Sequence, residues 1–131
     1  MKETLFRGKR KDNGEWAFGD LIVSKDKYYI HPRSNAFQVD GVLSRLIVLY
    51  EVIPETVSQF TDLVDKYNKK IFEGDLIAKG FELYEVRWNP EQVRWGIYLD
   101  NYEVAGFTKF SESYFVIVGN IHDDKELLEN D

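Results

Sequence analysis

Cysteine is absent from the 131 residues. Without a thiol there is no disulfide, no thiolate zinc site and no cysteine nucleophile, and a reducing cytosol suits the chain. Histidine occurs twice, at His31 and His122. A metal centre takes three or four ligands at compatible positions, so neither histidine makes one. His122-Asp123-Asp124 is read more plainly, with Asp123 as the cap of a short helix. No apolar run approaches the ~18 residues of a membrane helix. Met1-Lys2-Glu3-Thr4 lacks the apolar stretch of a signal peptide. Also missing are a serine–histidine–aspartate arrangement, a Walker loop and a dinucleotide fingerprint. No enzyme class therefore has support, and neither a cofactor nor a metal is expected.

What the chain does have is charge and aromatic rings. Hydrophobic residues make up 44% and charged residues 31%, which excludes a disordered or membrane-bound chain. The formal net charge is -6. Residues 1–60 hold 9 basic and 8 acidic side chains, whereas residues 61–131 hold 8 and 15. So acidic a second half repels phosphate and disfavours attraction of the whole chain to nucleic acid. One basic cluster stands out: Arg7, Lys9, Arg10 and Lys11. Its plainer reading is a solvated hairpin edge; its sharper reading is a nucleic-acid contact.

The dominant periodicity is two, that of strands. Leu5-Phe6-Arg7 opens a strand, Asp12-Asn13-Gly14 turns it, and Glu15 to Val23 returns. Trp16 and Phe18 share a face that Asp20 would continue, so Gly19 is expected to be a bulge turning Asp20 outward. Lys25-Asp26-Lys27 is a turn, and Tyr28 to His31 a short strand ended by Pro32. A brief strand is expected near Phe37 to Val39. Arg45 to Ile53 is apolar on both faces and reads as a central strand. Thr56 to Phe60 reads as another, and Asn68 as a left-handed turn residue.

From Lys70 the chain continues as Ile71-Phe72-Glu73-Gly74-Asp75-Leu76-Ile77-Ala78-Lys79. Tyr84-Val86-Trp88 and Val93-Trp95-Ile97-Leu99 form one face of a hairpin turned at Asn89-Pro90-Glu91-Gln92, and Glu85, Arg87 and Arg94 form its wet face. Residues 100–113 read as a loop or short helix, Tyr114 to Ile121 as a buried strand, and the tail as a helix capped by Asp123. Gly-Asp-Leu-Ile occurs twice, at Gly19 and at Gly74. The echo suggests two similar half-barrels whose bends are set by the glycine and steadied by the aspartate.

Asp20, Glu73 and Asp75 are the carboxylates to examine for acid–base chemistry; the plainer reading of the aspartates is turn stabilisation. Arg87, Trp88, Arg94 and Trp95 look like a stacking surface for single strands, yet the alternation puts both tryptophans in the core. Tyr28, Tyr29 and Tyr102 exceed what a core needs, which favours self-assembly or a protein partner.

Phe6-Arg7-Gly8-Lys9-Arg10, Asn13-Gly14-Glu15-Trp16 and Gly19-Asp20-Leu21-Ile22 resemble the opening of the YopX family. So do Pro54-Glu55-Thr56-Val57, Gln59 to Leu63, Lys70 to Asp75 and Val118-Gly119-Asn120-Ile121-His122. The blocks run in family order over the whole chain. Departures are local: Asp62 and Ser58 stand where glycine is common, and Asn68 lacks the usual following glycine. The resemblance implies a phage or prophage origin, a bacterial cytoplasm and a β-rich protein with no established catalytic residues. Its signature here is Gly8, Trp16, Gly19, Asp20, Gly74, Asp75, Trp88, Gly119 and Asn120, residues that set shape. The expected fold is mainly β (β-rich α+β), with small bent sheets or SH3-like barrel halves and a short C-terminal helix. It would be a single domain over 1–131, with room for two intertwined subdomains of about 1–60 and 61–131. The expected role is non-enzymatic binding, to further copies of the chain or to another phage or host protein; the alternative is a nucleic-acid-associated module using the basic cluster.

Overall fold

The computed structural model describes residues 4–33, 38–39, 42–43, 48–108 and 114–129. The chain is mainly β, and it divides into two compact units between Gln59 and Phe60.

The first unit contains β1 (Phe6–Lys9), β2 (Trp16–Ser24), β3 (Lys27–His31), the short pair β4 (Gln38–Val39) and β5 (Val42–Leu43), and β6 (Tyr50–Val52). A 3-10 turn at Pro54–Thr56 leads into β7 (Ser58–Val64). The strand order β6-β3-β2-β1 is antiparallel throughout, and the first residues of β7 add to β1 through Arg7 opposite Ser58. At the hairpin tip the Gly14 N–H donates to the Arg10 carbonyl and Asn13 Oδ1 accepts from the Glu15 N–H, so the turn lies where the sequence places it. Ala17, Ile30 and Val52 are buried, with Phe6, Leu21, Tyr28, Tyr50 and Val57 packed around them.

Gly19 is not a bulge. The β1–β2 register runs unbroken from Lys9 opposite Trp16 to Phe6 opposite Gly19, and Asp20 pairs in turn with His31. Alternation alone carries Asp20 to the exposed face with Phe18, while Ala17 lines the core. Glycine is needed at 19 because a Cβ there would collide with the backbone carbonyl of His31. Gly8 is needed for a related reason, since its Cβ would lie 2.9 Å from Val52.

The expected central strand Arg45–Ile53 also changes. Residues 44–47 lie outside the described residues. Beyond them the strand covers only Tyr50–Val52, Leu49 is exposed, and β6 ends the strand order. Its outer side is covered by backbone: Lys11 N donates to Glu51 O (3.0 Å), Ile53 N donates to Lys9 O (2.8 Å), and Arg10 bridges Val52. The apolar composition of that stretch therefore reflects a strand covered by the returning end of β1.

In the second unit, the later residues of β7 pair with β8 (Lys70–Phe72). A five-stranded antiparallel sheet follows, in the order β12-β11-β10-β9-β13. It consists of β9 (Asp75–Lys79), β10 (Glu82–Asn89), β11 (Arg94–Leu99), β12 (Tyr102–Gly106) and β13 (Val116–Asn120). The helix α1 (Glu126–Glu129) closes the described chain. Leu63, Ile71, Ile77, Val86, Ile97, Phe107 and Phe115 form the core, with Phe107 and Phe115 edge to face at 5.4 Å. Asn68 has φ +66°, the left-handed conformation expected of it.

The bend expected of the second Gly-Asp pair is present: a turn at Glu73-Gly74, with Gly74 at φ +88°, separates β8 from β9. Two expectations fail in this unit. Part of the stretch 100–113 is the strand β12, not loop or helix. Val93 belongs to the turn, at φ +53°, not to the returning strand. Among the described residues the strands form no closed barrel, although in the first unit the chain after β1 returns to β6 through Arg10 and Val52.

Candidate functional site

In the first unit, β1 and its turn bring together Arg7, Lys9, Arg10 and Lys11. Arg7 is buried: its guanidinium lies 4.7 Å over the Trp16 ring and its Nε donates to Ser58 Oγ at 3.0 Å. The Lys9 ammonium also lies over Trp16, at 5.8 Å. Arg10 stacks at 4.0 Å on Tyr50 and pairs with Asp12 at 2.6 Å. That pair raises the guanidinium pKa and lowers the Asp12 carboxyl. Lys11 holds Glu51 at 2.9 Å, and its hydrogen bond lowers the Glu51 pKa. Lys11, Asp12, Leu49, Tyr50 and Glu51 line an open cleft of about 280 Å³. The cluster thus forms as a neighbourhood, but aromatic faces and carboxylates of the same unit engage each cation.

The candidate carboxylates have separate duties. Asp20 is exposed and takes two bonds from Arg33, at 2.7 and 2.9 Å. It stabilises no turn. Asp75 is buried, and its Oδ2 accepts the Phe72 N–H at 2.8 Å across the Glu73-Gly74 turn; here the turn-stabilising reading holds. Glu73 lies half-buried in that same turn. Burial raises its pKa, the Trp88 N–H opposes that, and the nearby charge of Glu85 adds to it. Near the tail, Asn120 Oδ1 accepts the N–H groups of His122 and Asp123, and Asp123 Oδ2 accepts from the Asn120 amide. At the start of the short helix Leu127 N donates to Asp124 O and Leu128 N to Lys125 O. Among the described residues no group of three or more His, Asp or Glu side chains could hold a metal.

The tryptophans depart from expectation too. Trp95 packs against the core, but Trp88 opposite it is 40% exposed, stacked edge-on at 5.1 Å. The opposite face of that hairpin, expected to be wet, holds Glu85 at only 8% exposure. Glu85 receives Arg87 at 2.9 Å, and Arg87 lies 5.0 Å over Tyr98. On the same face Arg94 holds Glu103 at 2.6 Å, and Asn89 donates to the other Glu103 oxygen at 2.9 Å. Both partners keep the Glu103 carboxyl below its usual range. Glu85, Arg87, Asn89, Arg94 and Glu103 of this face are thus paired with one another.

The family model for the YopX protein matches residues 5–129. The chain belongs to the YopX family. No curated protein matches it. Among solved structures, protein EF1440 from Enterococcus faecalis has the same fold at 16% identity and a TM-score of 0.61, covering 98% of this chain and 99% of that one. Within this YopX protein four of the residues that the resemblance singled out, with Asn120, have a visible structural part. Gly8 makes room for the Val52 side chain and Gly19 for the His31 backbone, Gly74-Asp75 makes a capped turn, and Asn120 bends the chain toward the tail.

Sequence reasoning missed Asp65. This carboxylate is 3% exposed. Its Oδ1 accepts the N–H groups of Tyr67 and Lys69, and its Oδ2 accepts that of Ile117. The visible signal was an aspartate opening a turn that ends in a left-handed asparagine. No described helix is long and apolar enough to cross a membrane.

Proposed function

We propose that this YopX protein is a non-enzymatic, phage- or prophage-encoded protein of the bacterial cytoplasm that acts by protein binding, first of all to copies of itself. The observation carrying this reading is the set of large apolar side chains left in solvent on regular strands: Phe18, Ile22 and Val23 on β2, Tyr102 and Val104 on β12, and Val118 on β13. Apolar strand residues that no core uses mark contact surfaces. The ionic side chains support the same choice. Arg10, Lys11, Arg87 and Arg94 each face a carboxylate of the chain, so a phosphate ligand would first have to displace it.

Light scattering across a range of concentrations tests the proposal. A mass above 15.4 kDa that rises with concentration is expected; a strict monomer at high concentration removes the self-binding part. A gel shift with single- and double-stranded DNA and RNA at low salt is expected to show no complex.

A further inference from the structure

Residues 61–131 are acidic as a whole, with 8 basic and 15 acidic side chains, yet one end of the second unit's sheet is not. Lys66 N donates to Phe115 O at 2.9 Å, which sets Lys66 and Tyr67 beside the start of β13. The Lys66 ammonium lies 5.7 Å over the Tyr67 ring, and that of Lys79 lies 5.5 Å over Tyr114. Among the described residues no carboxylate pairs with either lysine. Both tyrosines are mostly in solvent, Tyr67 at 66% and Tyr114 at 63%. Lys79 leads into the two-residue hairpin turn Gly80-Phe81, which leaves Phe81 fully exposed. The next carboxylate along the strand, Glu82, accepts the Tyr84 hydroxyl. The result is a patch of three exposed rings with two cations that face no acid.

We infer that this patch binds the C-terminal segment of a second copy. The inference rests on the self-binding reading above and locates it. Exposed rings beside uncompensated cations fit a segment that is acidic and aliphatic together. Residues 123–131 are of that kind: five acidic side chains, one lysine and two leucines, with Glu126 and Leu127 exposed. Geometry gives the segment to another copy. β9 and β13 are antiparallel, with Asp75 opposite Asn120 and Ala78 opposite Val116. The tail is held at the Asp75 end, where Ile121 N donates to Gly74 O and Asn120 Oδ1 accepts the His122 and Asp123 N–H groups. The patch lies at the Lys79 end, roughly 13 Å along the strand. Two copies related by a two-fold axis across these strands put each tail against the other's patch, a contact that closes as a dimer. A polyphosphate chain fits less well, since two lysines do not offset the excess of acid around them.

Sedimentation of the full chain with charge reversals tests this; Lys66, Lys79 and Glu126 are all exposed. Lys66→Glu with Lys79→Glu, and separately Glu126→Lys with Glu129→Lys, are each expected to weaken self-association by about tenfold or more. The chain carrying all four reversals is expected to regain it, because its acidic patch then meets a basic tail. A loss caused by misfolding would not be rescued in this way. Phe81→Ser is expected to weaken self-association with no loss of thermal stability. An oligomer indifferent to both pairs of reversals, or a four-reversal chain that stays monomeric, overturns the patch as the contact and leaves self-binding standing. A wild-type monomer overturns both, whether or not it takes up RNA or an unrelated acidic peptide.

Discussion

Two stretches of this chain spell Gly-Asp-Leu-Ile, and they fold to opposite ends. At Gly19 the tetrapeptide runs through the middle of β2, Asp20 is exposed with Arg33, and Ile22 is in solvent. At Gly74 it opens a strand after a tight turn, Asp75 is buried and caps that turn, and Leu76 and Ile77 are wholly buried. In the first run the glycine is indispensable and the aspartate is decoration. In the second the aspartate holds the turn and the glycine only eases it. Identical letters report a local possibility, and the neighbouring strand decides which possibility is used.

Substitutions can break this contrast. Gly19→Ala drives a methyl into the His31 carbonyl and is expected to cost about 3 kcal/mol or more. Chemical denaturation measures it, and a loss below that of Gly74→Ala would reverse the ranking. Asp75→Ala strands the Phe72 N–H in a buried turn, for about 2 kcal/mol by the same assay. Gly74→Ala places a side chain at φ +88°, with its Cβ 3.4 Å from Ile121, for about 1 kcal/mol. Asp20→Ala removes a surface ion pair and should shift stability by no more than about 0.5 kcal/mol. If it costs as much as Asp75→Ala, the two runs are equivalent after all.

The finest test is a pH profile of Glu73→Gln. The folded chain holds the Glu73 proton more tightly than the unfolded chain, whose glutamate value is 4.5. Glu73 therefore favours folding below that value, and the benefit is lost as pH rises through its raised folded value. The glutamine variant should match wild type in acid and exceed it slightly at pH 7.

Much of the fold could be read before any coordinates. The β1–β2 and β10–β11 hairpins follow from alternation and turn chemistry, and Asn68 follows from its tolerance of the left-handed region. Alternation, however, states that two faces differ without saying how far cover extends along either. Glu85 thus lies buried on the face expected to be wet, and Trp88 stands at the rim of the face expected to be core. β12 escaped because the β11–β12 register shifts between Ile97 and Tyr98, which disrupts the alternation a reader looks for. Of the candidate site, the basic cluster was legible as a neighbourhood, but its partners were not. Ser58 and Glu51 lie far from it in sequence and reach it only through strand pairing.

Asp65 also joins near and far parts of its unit. Its carboxylate takes the N–H groups of Tyr67 and Lys69, two and four residues on, together with that of Ile117, 52 residues away. One buried side chain thus works as a rivet, so that disturbing the turn at residues 65–69 also loosens the hold on β13.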